Sequence, residues 1–393
     1  MPTLHIDCTV LTPMFVGFDQ EDVEVTEQPV AAWLRFWLRA VLGESCHNDL
    51  TRLKLAEEAI LGSQRRASAV AIEVTQRASA PLRHAFTLPI RYLAGQGLFD
   101  GERQVRRCLA PGTTFEIALT GPVELVTFLL DILCLASYLG GIGSRSRKGF
   151  GAFQITAHRA DFPITAPPRV LTASDIATQI PKLVESVLDT AQAVLCDLRI
   201  LTDAKKLTYV PFLECYPHPP ERTAPITYAS LAAMTLRWHA LDASDWSVAL
   251  EMLGEAYQAI RGQMPMEDFT RVIQPVLDGE TDDLDPHFDI MGLPVHFKKQ
   301  RTLTVQSRDR EIGDRRASPL FFKVNKIDED WFLSILLFNA VFLPDQAREV
   351  VKVHGNATAV TTADLTAMDY FWEGFPHENP DESTVVRYAR SPL

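Results

Sequence analysis

The six cysteines of this 393-residue chain (Cys8, Cys46, Cys108, Cys134, Cys196 and Cys215) include no close pair. That argues against a disulfide scaffold and against a zinc ribbon, and it suits thiols used as small apolar fillers in a reducing compartment. Cys215 and His218 have ligand spacing, but no second pair stands near them, so no metal and no cofactor are expected. No run of about 18 uncharged apolar residues is present, which leaves no evident membrane span. The opening Met1–Asp7 has neither the basic nor the apolar region of a secretion signal, so a cytoplasmic chain is expected. Catalytic signatures are missing too: no nucleophile elbow, no Ser/His/Asp pattern, no paired carboxylates. The chain is therefore expected not to be an enzyme. His5, His84 and His158 are the histidines that invite a general acid–base role, and for each an ordinary surface or hydrogen-bonded histidine is the better reading. The acidic stretch 280–289 shows no ligand register for Mg²⁺.

A surplus of positive charge is also lacking overall. The chain holds 38 Lys+Arg against 50 Asp+Glu, a net charge of −12. The deficit is uneven. Residues 1–160 carry 16 of each sign, so the whole −12 falls on residues 161–393, with 22 (38 − 16) against 34 (50 − 16). Within the neutral half, residues 62–107 contain eight arginines (65, 66, 77, 83, 91, 103, 106, 107) against Glu73, Asp100 and Glu102. A local basic surface of that kind can bind a polyanion while the acidic half faces partners or solvent.

What the chain does have is concentrated in Gly140–Gly151, GGIGSRSRKGFG. Five glycines and three cations stand there with no carboxylate. Glycine allows positive φ and close approach of another backbone, exposed N–H groups can form an anion nest, and arginine donors fit phosphate oxygens. The segment reads as a phosphate-gripping loop. Its spacing is not that of a Walker A loop, and it runs from helix to strand, the reverse of a dinucleotide fingerprint.

The surrounding pattern gives strand Leu4–Val10, helix Val30–Leu42 opened by Pro29 and stopped by Gly43, strands Ala69–Thr75 and Thr114–Leu119, helix Pro122–Leu139, and strand Ala152–His158. That order, strand–helix–strand–strand–helix–strand, is the split βαβ of ferredoxin-like domains. Trp33, Phe36 and Trp37 are placed for core packing; Arg35 and Arg39 share one helix face. Past a linker at Pro163–Pro168, the second half offers helices at Ser174–Leu195 and Asp245–Arg261, a strand at Leu231–Trp238, an acidic stretch at 278–289, strands at Leu293–Phe297, Thr302–Val305, Pro319–Val324 and Trp331–Phe342, and a closing helix at Thr362–Trp372. The expected fold class is α+β, with domains 1–162 and 163–393. A second basic cluster, 298–316, has seven cations against three carboxylates; it serves as a polyanion contact or as an exposed solvated loop.

These residues resemble the RAMP superfamily of CRISPR systems, and within it the first-subunit family of the Cmr (type III-B) RNA-guided effector. The resemblance rests on Thr12-Pro13-Met14-Phe15, on Leu34-Arg35-Phe36-Trp37-Leu38-Arg39-Ala40, and on Leu61-Gly62-Ser63 with the strand after it. It continues through Tyr92–Leu98, Pro111-Gly112-Thr113-Thr114-Phe115, the glycine-arginine loop, and Arg315-Arg316-Ala317-Ser318-Pro319-Leu320. Where the family usually has Ser-x-Lys-Gly, this chain has Pro29-Val30-Ala31-Ala32. The resemblance implies two packed ferredoxin-like domains and a non-catalytic, RNA-binding subunit that holds guide RNA near its 3′ end and helps capture target RNA in antiviral defence. The implied partners are guide and target RNA, the other Cmr-type RAMP subunits and the large subunit. The expected RNA contacts are Arg35, Arg39, Arg65, Arg66, Gly141, Gly143, Ser144, Arg145, Ser146, Arg147, Lys148, Arg315 and Arg316. The alternative is a RAMP endoribonuclease that processes guide precursor without metal.

Overall fold

The computed structural model describes residues 1–17, 23–82, 85–95, 97–100, 102–164, 176–203, 208–212, 228–262, 295–297, 301–307, 318–338, 349–353, 356–358 and 384–389. It is a mixed α+β fold built on antiparallel sheets. The elements are β1 (Thr3–Val10), α1 (Glu27–Ser45), α2 (Leu50–Leu61), β2 (Ala71–Ala78), α3 (Leu88–Ala94), β3 (Phe99–Asp100), β4 (Arg103–Gln104), β5 (Thr114–Thr120), α4 (Val123–Leu139) and β6 (Phe153–Ala160). They continue with α5 (Ile176–Asp197), β7 (Arg199–Asp203), β8 (Thr208–Pro211), β9 (Ala233–Leu241), α6 (Trp246–Gly262), β10 (Val295–Phe297), β11 (Arg301–Ser307), β12 (Leu320–Ile327), β13 (Asp330–Phe338), β14 (Glu349–Val353), β15 (Asn356–Thr358) and β16 (Thr384–Ala389).

The first sheet runs β2-β5-β1-β6. Along β1, Leu4, Ile6, Cys8 and Val10 alternate inward, as the period of two requires. Another sheet runs β12-β13-β9-β16, the same order when strands are counted from β9. Every residue of β13 from Trp331 to Phe338 is buried, because this sheet is covered on both faces. Phe332, Leu336 and Phe338 point to a core shared with α1, α4, α5 and the first sheet. Leu333, Ile335 and Leu337 point to a second core shared with α3, α6 and the loop residues Phe15 and Phe150. Both cores therefore extend across residue 162. A third small sheet runs β10-β11-β14-β15.

Helix α1 departs from the sequence reading. Gly43 does not stop it but lies buried inside it, because a Cβ there would sit 2.6 Å from Tyr228 Oη. Pro29 is tolerated because it stands in the first turn, where N–H groups have no helical partner. Helix α2 is absent from the sequence reading; Asp49 caps it, its carboxylate accepting from Thr51 N at 2.8 Å and Arg52 N at 3.2 Å. Pro181 lies within α5. The acidic stretch 278–289, the closing helix at Thr362–Trp372, His84, Arg315 and Arg316 lie outside the described residues.

Candidate nucleic-acid interface

The glycine-arginine loop joins α4 to β6 and is clasped from two sides. Ser144 N donates to Phe15 O at 2.8 Å and Gly151 N to Pro13 O at 2.9 Å. From the other half of the chain, Gly149 N donates to Phe322 O at 2.8 Å and Phe322 N to Arg147 O at 3.0 Å. The glycines serve close approach. A Cβ at Gly140 would lie 2.7 Å from Trp37 Cζ2, and one at Gly141 2.4 Å from Phe150 O. Gly143 has a φ of 96° with Phe15 O beneath it. Six of the loop's N–H groups (140, 142, 144, 148, 149, 151) donate to protein carbonyls, so they are not arranged as an anion nest.

The three cations of the loop part ways. Arg147 donates to Ser318 O at 2.7 Å and lies over the rings of Phe321 and Phe36, 4.6 and 5.6 Å from their centroids. Burial lowers its pKa to about 10. Lys148 Nζ sits 4.6 Å above the ring centroid of Tyr257. Both face protein groups. Arg145 is exposed and adopts a φ of 61°, a left-handed conformation uncommon outside glycine, which in functional sites marks a constrained side chain. Its Nε donates to Ala94 O at 2.6 Å, at the end of α3. Ser146 is half-buried in the same turn. Arg106 joins the group, its Nη1 donating to Ser144 Oγ at 3.2 Å and its Nη2 to Gly17 O.

A second basic locus is a groove of about 770 Å³ between α1, α2 and the turn at 62–68, lined by Arg35, Arg39, Lys54 and Arg66 with Glu57 and Glu58. The balance there is four cations against two carboxylates. Glu57 bridges the arginines, 2.9 Å from Arg35 Nη1 and 3.4 Å from Arg39 Nη1. Arg35 also donates to Leu61 O and Gly62 O, satisfying carbonyls at the end of α2. It is engaged throughout, whereas the Arg39 side chain is 47% exposed and meets Glu57. Arg65 is exposed and Arg66 half-buried in the adjoining turn. That turn is fixed by Gly62, whose φ is 70° and whose added Cβ would meet Ser68 N at 2.6 Å.

His5 lies on the open face of the first sheet. Its Nδ1 is 3.1 Å from Glu116 Oε1, and Arg77 and Arg159 also bind this carboxylate. Burial alone would raise the Glu116 pKa; the hydrogen bonds from Arg77, Arg159 and His5 outweigh it and hold the carboxyl down at about 2. A carboxylate so stabilised is a poor base. His158 lies opposite Ile6 on β6.

Residues 7–154 match the family model of the RAMP superfamily. The resemblance read from the motifs is borne out. CRISPR system Cmr subunit Cmr1-1 of Pyrococcus furiosus aligns at 27% identity over 197 residues, which is 49% of this chain and 57% of that protein. The chain thus spans little more than half the length of this curated relative. The crystal structure of Cmr1 from Pyrococcus furiosus, in its apo form, matches with a TM-score of 0.58 at 18% identity, covering 98% of each chain. At that identity the likeness speaks to fold. No helix among the described residues is long and apolar enough to cross a membrane.

The matched segment, 7–154, contains both basic loci, and no residue of the loop lines the groove. Arg39, Arg65 and Arg66 gather at the groove; Arg145, Ser144 and Arg106 gather at the loop, with Gly141 and Gly143 shaping its backbone. Arg106 was within reach of sequence reasoning as one of eight arginines in 62–107. Nothing in the sequence marked it as the one reaching Ser144.

Proposed function

We propose that the chain is a non-catalytic, RNA-binding subunit of a type III-B CRISPR effector complex, holding guide RNA near its 3′ end and helping to capture target RNA. On this reading it works in the cytoplasm beside guide RNA, target RNA, the other Cmr-type subunits and the large subunit. The observation that carries the proposal is the RAMP superfamily match over residues 7–154, a segment that contains the glycine-arginine loop. The alignment with a Cmr subunit supports the choice of complex. We read the two sheets of identical strand order as two ferredoxin-like domains, 1–162 and 163–393, with the loop at their joint.

The phosphate contacts are assigned to Arg39, Arg65, Arg66 and Arg145, with Arg315 and Arg316 as further contacts. Arg35, Arg147 and Lys148 act by holding the surrounding elements in place. Removing one phosphate-binding cation should make the slope of log K against log salt shallower by about 0.7 for a single strand. Arg39→Ala and Arg145→Ala are therefore each expected to flatten that slope while leaving the melting temperature nearly unchanged. A folded double variant with the wild-type slope would remove both residues from the interface. Incubation with repeat RNA in EDTA is expected to leave the RNA intact; specific cleavage would favour the endoribonuclease reading instead.

A further inference from the structure

We propose that Tyr92 is a stacking platform for an unpaired base of single-stranded RNA, flanked by arginines that hold the neighbouring phosphates. This deepens the RNA-binding reading above and rests on it. Tyr92 is 38% exposed, and it is the one aromatic more than about a third exposed among those whose side chains are described. Large aromatics left in water on a soluble surface are informative because burial is their default. The ring is also braced. It packs at a steep angle against Tyr257, with centroids 6.1 Å apart, and Tyr257 is itself buried and covered by Lys148. A braced ring loses little conformational freedom when a base lands on it.

The surroundings supply the charge. Two residues beyond Tyr92, Ala94 O accepts from Arg145. Arg91 reaches across to Glu102, 3.5 Å away, tying α3 to the turn between β3 and β4. Past that turn, Arg103 and Arg107 are exposed, and Arg106 returns to Ser144 of the glycine-arginine loop. From Leu88 to Arg107 the described residues hold four arginines against Asp100 and Glu102, and Arg145 adds a fifth cation. An exposed aromatic among cations is the arrangement by which single strands are held without base-edge readout, bases on rings and phosphates on arginines. Leu88, 63% exposed and one turn before Tyr92, extends the apolar strip. The cation surplus favours RNA over a protein partner as its occupant.

The test is the affinity of the full chain for a short unstructured single-stranded RNA and for a duplex, across salt, with wild type, Tyr92→Phe, Tyr92→Leu and Tyr92→Ala. Stacking on one base is typically worth ~1–3 kcal/mol. Tyr92→Leu and Tyr92→Ala should therefore weaken single-strand binding by about 5- to 150-fold, while Tyr92→Phe stays within about twofold of wild type. The salt slope should not change in any of them, because no charge is removed; duplex affinity should not change either. Leucine keeps the apolar packing against Tyr257, so a weakening shared by leucine and alanine at constant melting temperature separates stacking from folding. If Arg39→Ala and Arg145→Ala flatten the salt slope while Tyr92→Ala binds like wild type, the stacking role is overturned and the RNA-binding reading stands. If the wild type binds no RNA, both fall. If Tyr92→Ala leaves RNA binding intact but releases another subunit of the assembled complex, the strip is a protein-docking surface and the proposal is wrong.

Discussion

Lys323 has no exposed surface at all. Its ammonium meets Phe153 O at 3.3 Å, and burial brings its pKa down to about 7. An unfolded lysine keeps its proton to about pH 10.4. Between about pH 7 and 10 the unfolded chain thus binds more protons than the folded one, so stability should rise with pH across that window. Lys323→Met should remove the slope and stabilise the protein at pH 7 by about 1–4 kcal/mol. Denaturant unfolding at several pH values checks this; a variant less stable than wild type that keeps the slope would contradict it. Glu116 is shifted in the same direction, so it too adds stability as pH rises, but in a lower window. Its folded pKa is held near 2, so its contribution is present above about pH 4.5 and is lost as pH falls toward 2. Because its partners Arg77 and Arg159 are about half exposed, Glu116→Gln should cost only about 1 kcal/mol at neutral pH, and the variant should lose less stability than wild type on acidification.

At the scale of elements, the glycine-arginine loop is a joint before it is a surface. Gly141→Ala would drive a methyl group to 2.4 Å from Phe150 O, where only backbone movement relieves the clash. A loss of more than about 2 kcal/mol is expected. Gly97→Ala meets nothing within 4 Å and has only its φ of 92° to contend with, so it should cost about 1 kcal/mol. Paired melting curves distinguish the two; equal losses would mean that the close packing of the loop is not what demands glycine. The loop's glycines were legible in the sequence, and so were the elements it joins, because buried strands and apolar helices leave strong periodic signals. The use of its cations was not. Whether a guanidinium faces solvent or Phe321 depends on a strand more than 170 residues away, and nothing local to Ser144–Lys148 records that. Helix α2 was missed for the reverse reason: its signal is local, an Asp49 cap before a mixed sequence, and its apolar pattern is broken by Arg52 and Glu57, both buried.

On the scale of the whole molecule, the two halves share their cores. Helices α1, α4 and α5 lie between the two large sheets, and α3 packs with α6 on the far side of the second. Polar residues stitch the joint, with Asn325 Nδ2 and Ser334 Oγ both donating to Tyr138 O at the end of α4. An interface of this kind favours a single cooperative unfolding transition over two separated ones. It also means that RNA held at the loop would bear on both halves at once. The split of charge, neutral to residue 160 and acidic beyond, was readable from composition; which of the cations face solvent was not.

The most direct test of the account is RNA crosslinking mapped by mass spectrometry on the assembled complex. Crosslinks are expected at Tyr92, at 140–151, at the groove residues Arg39, Arg65 and Arg66, and within 298–316. Crosslinks concentrated in 180–290, with none at those positions, would contradict it.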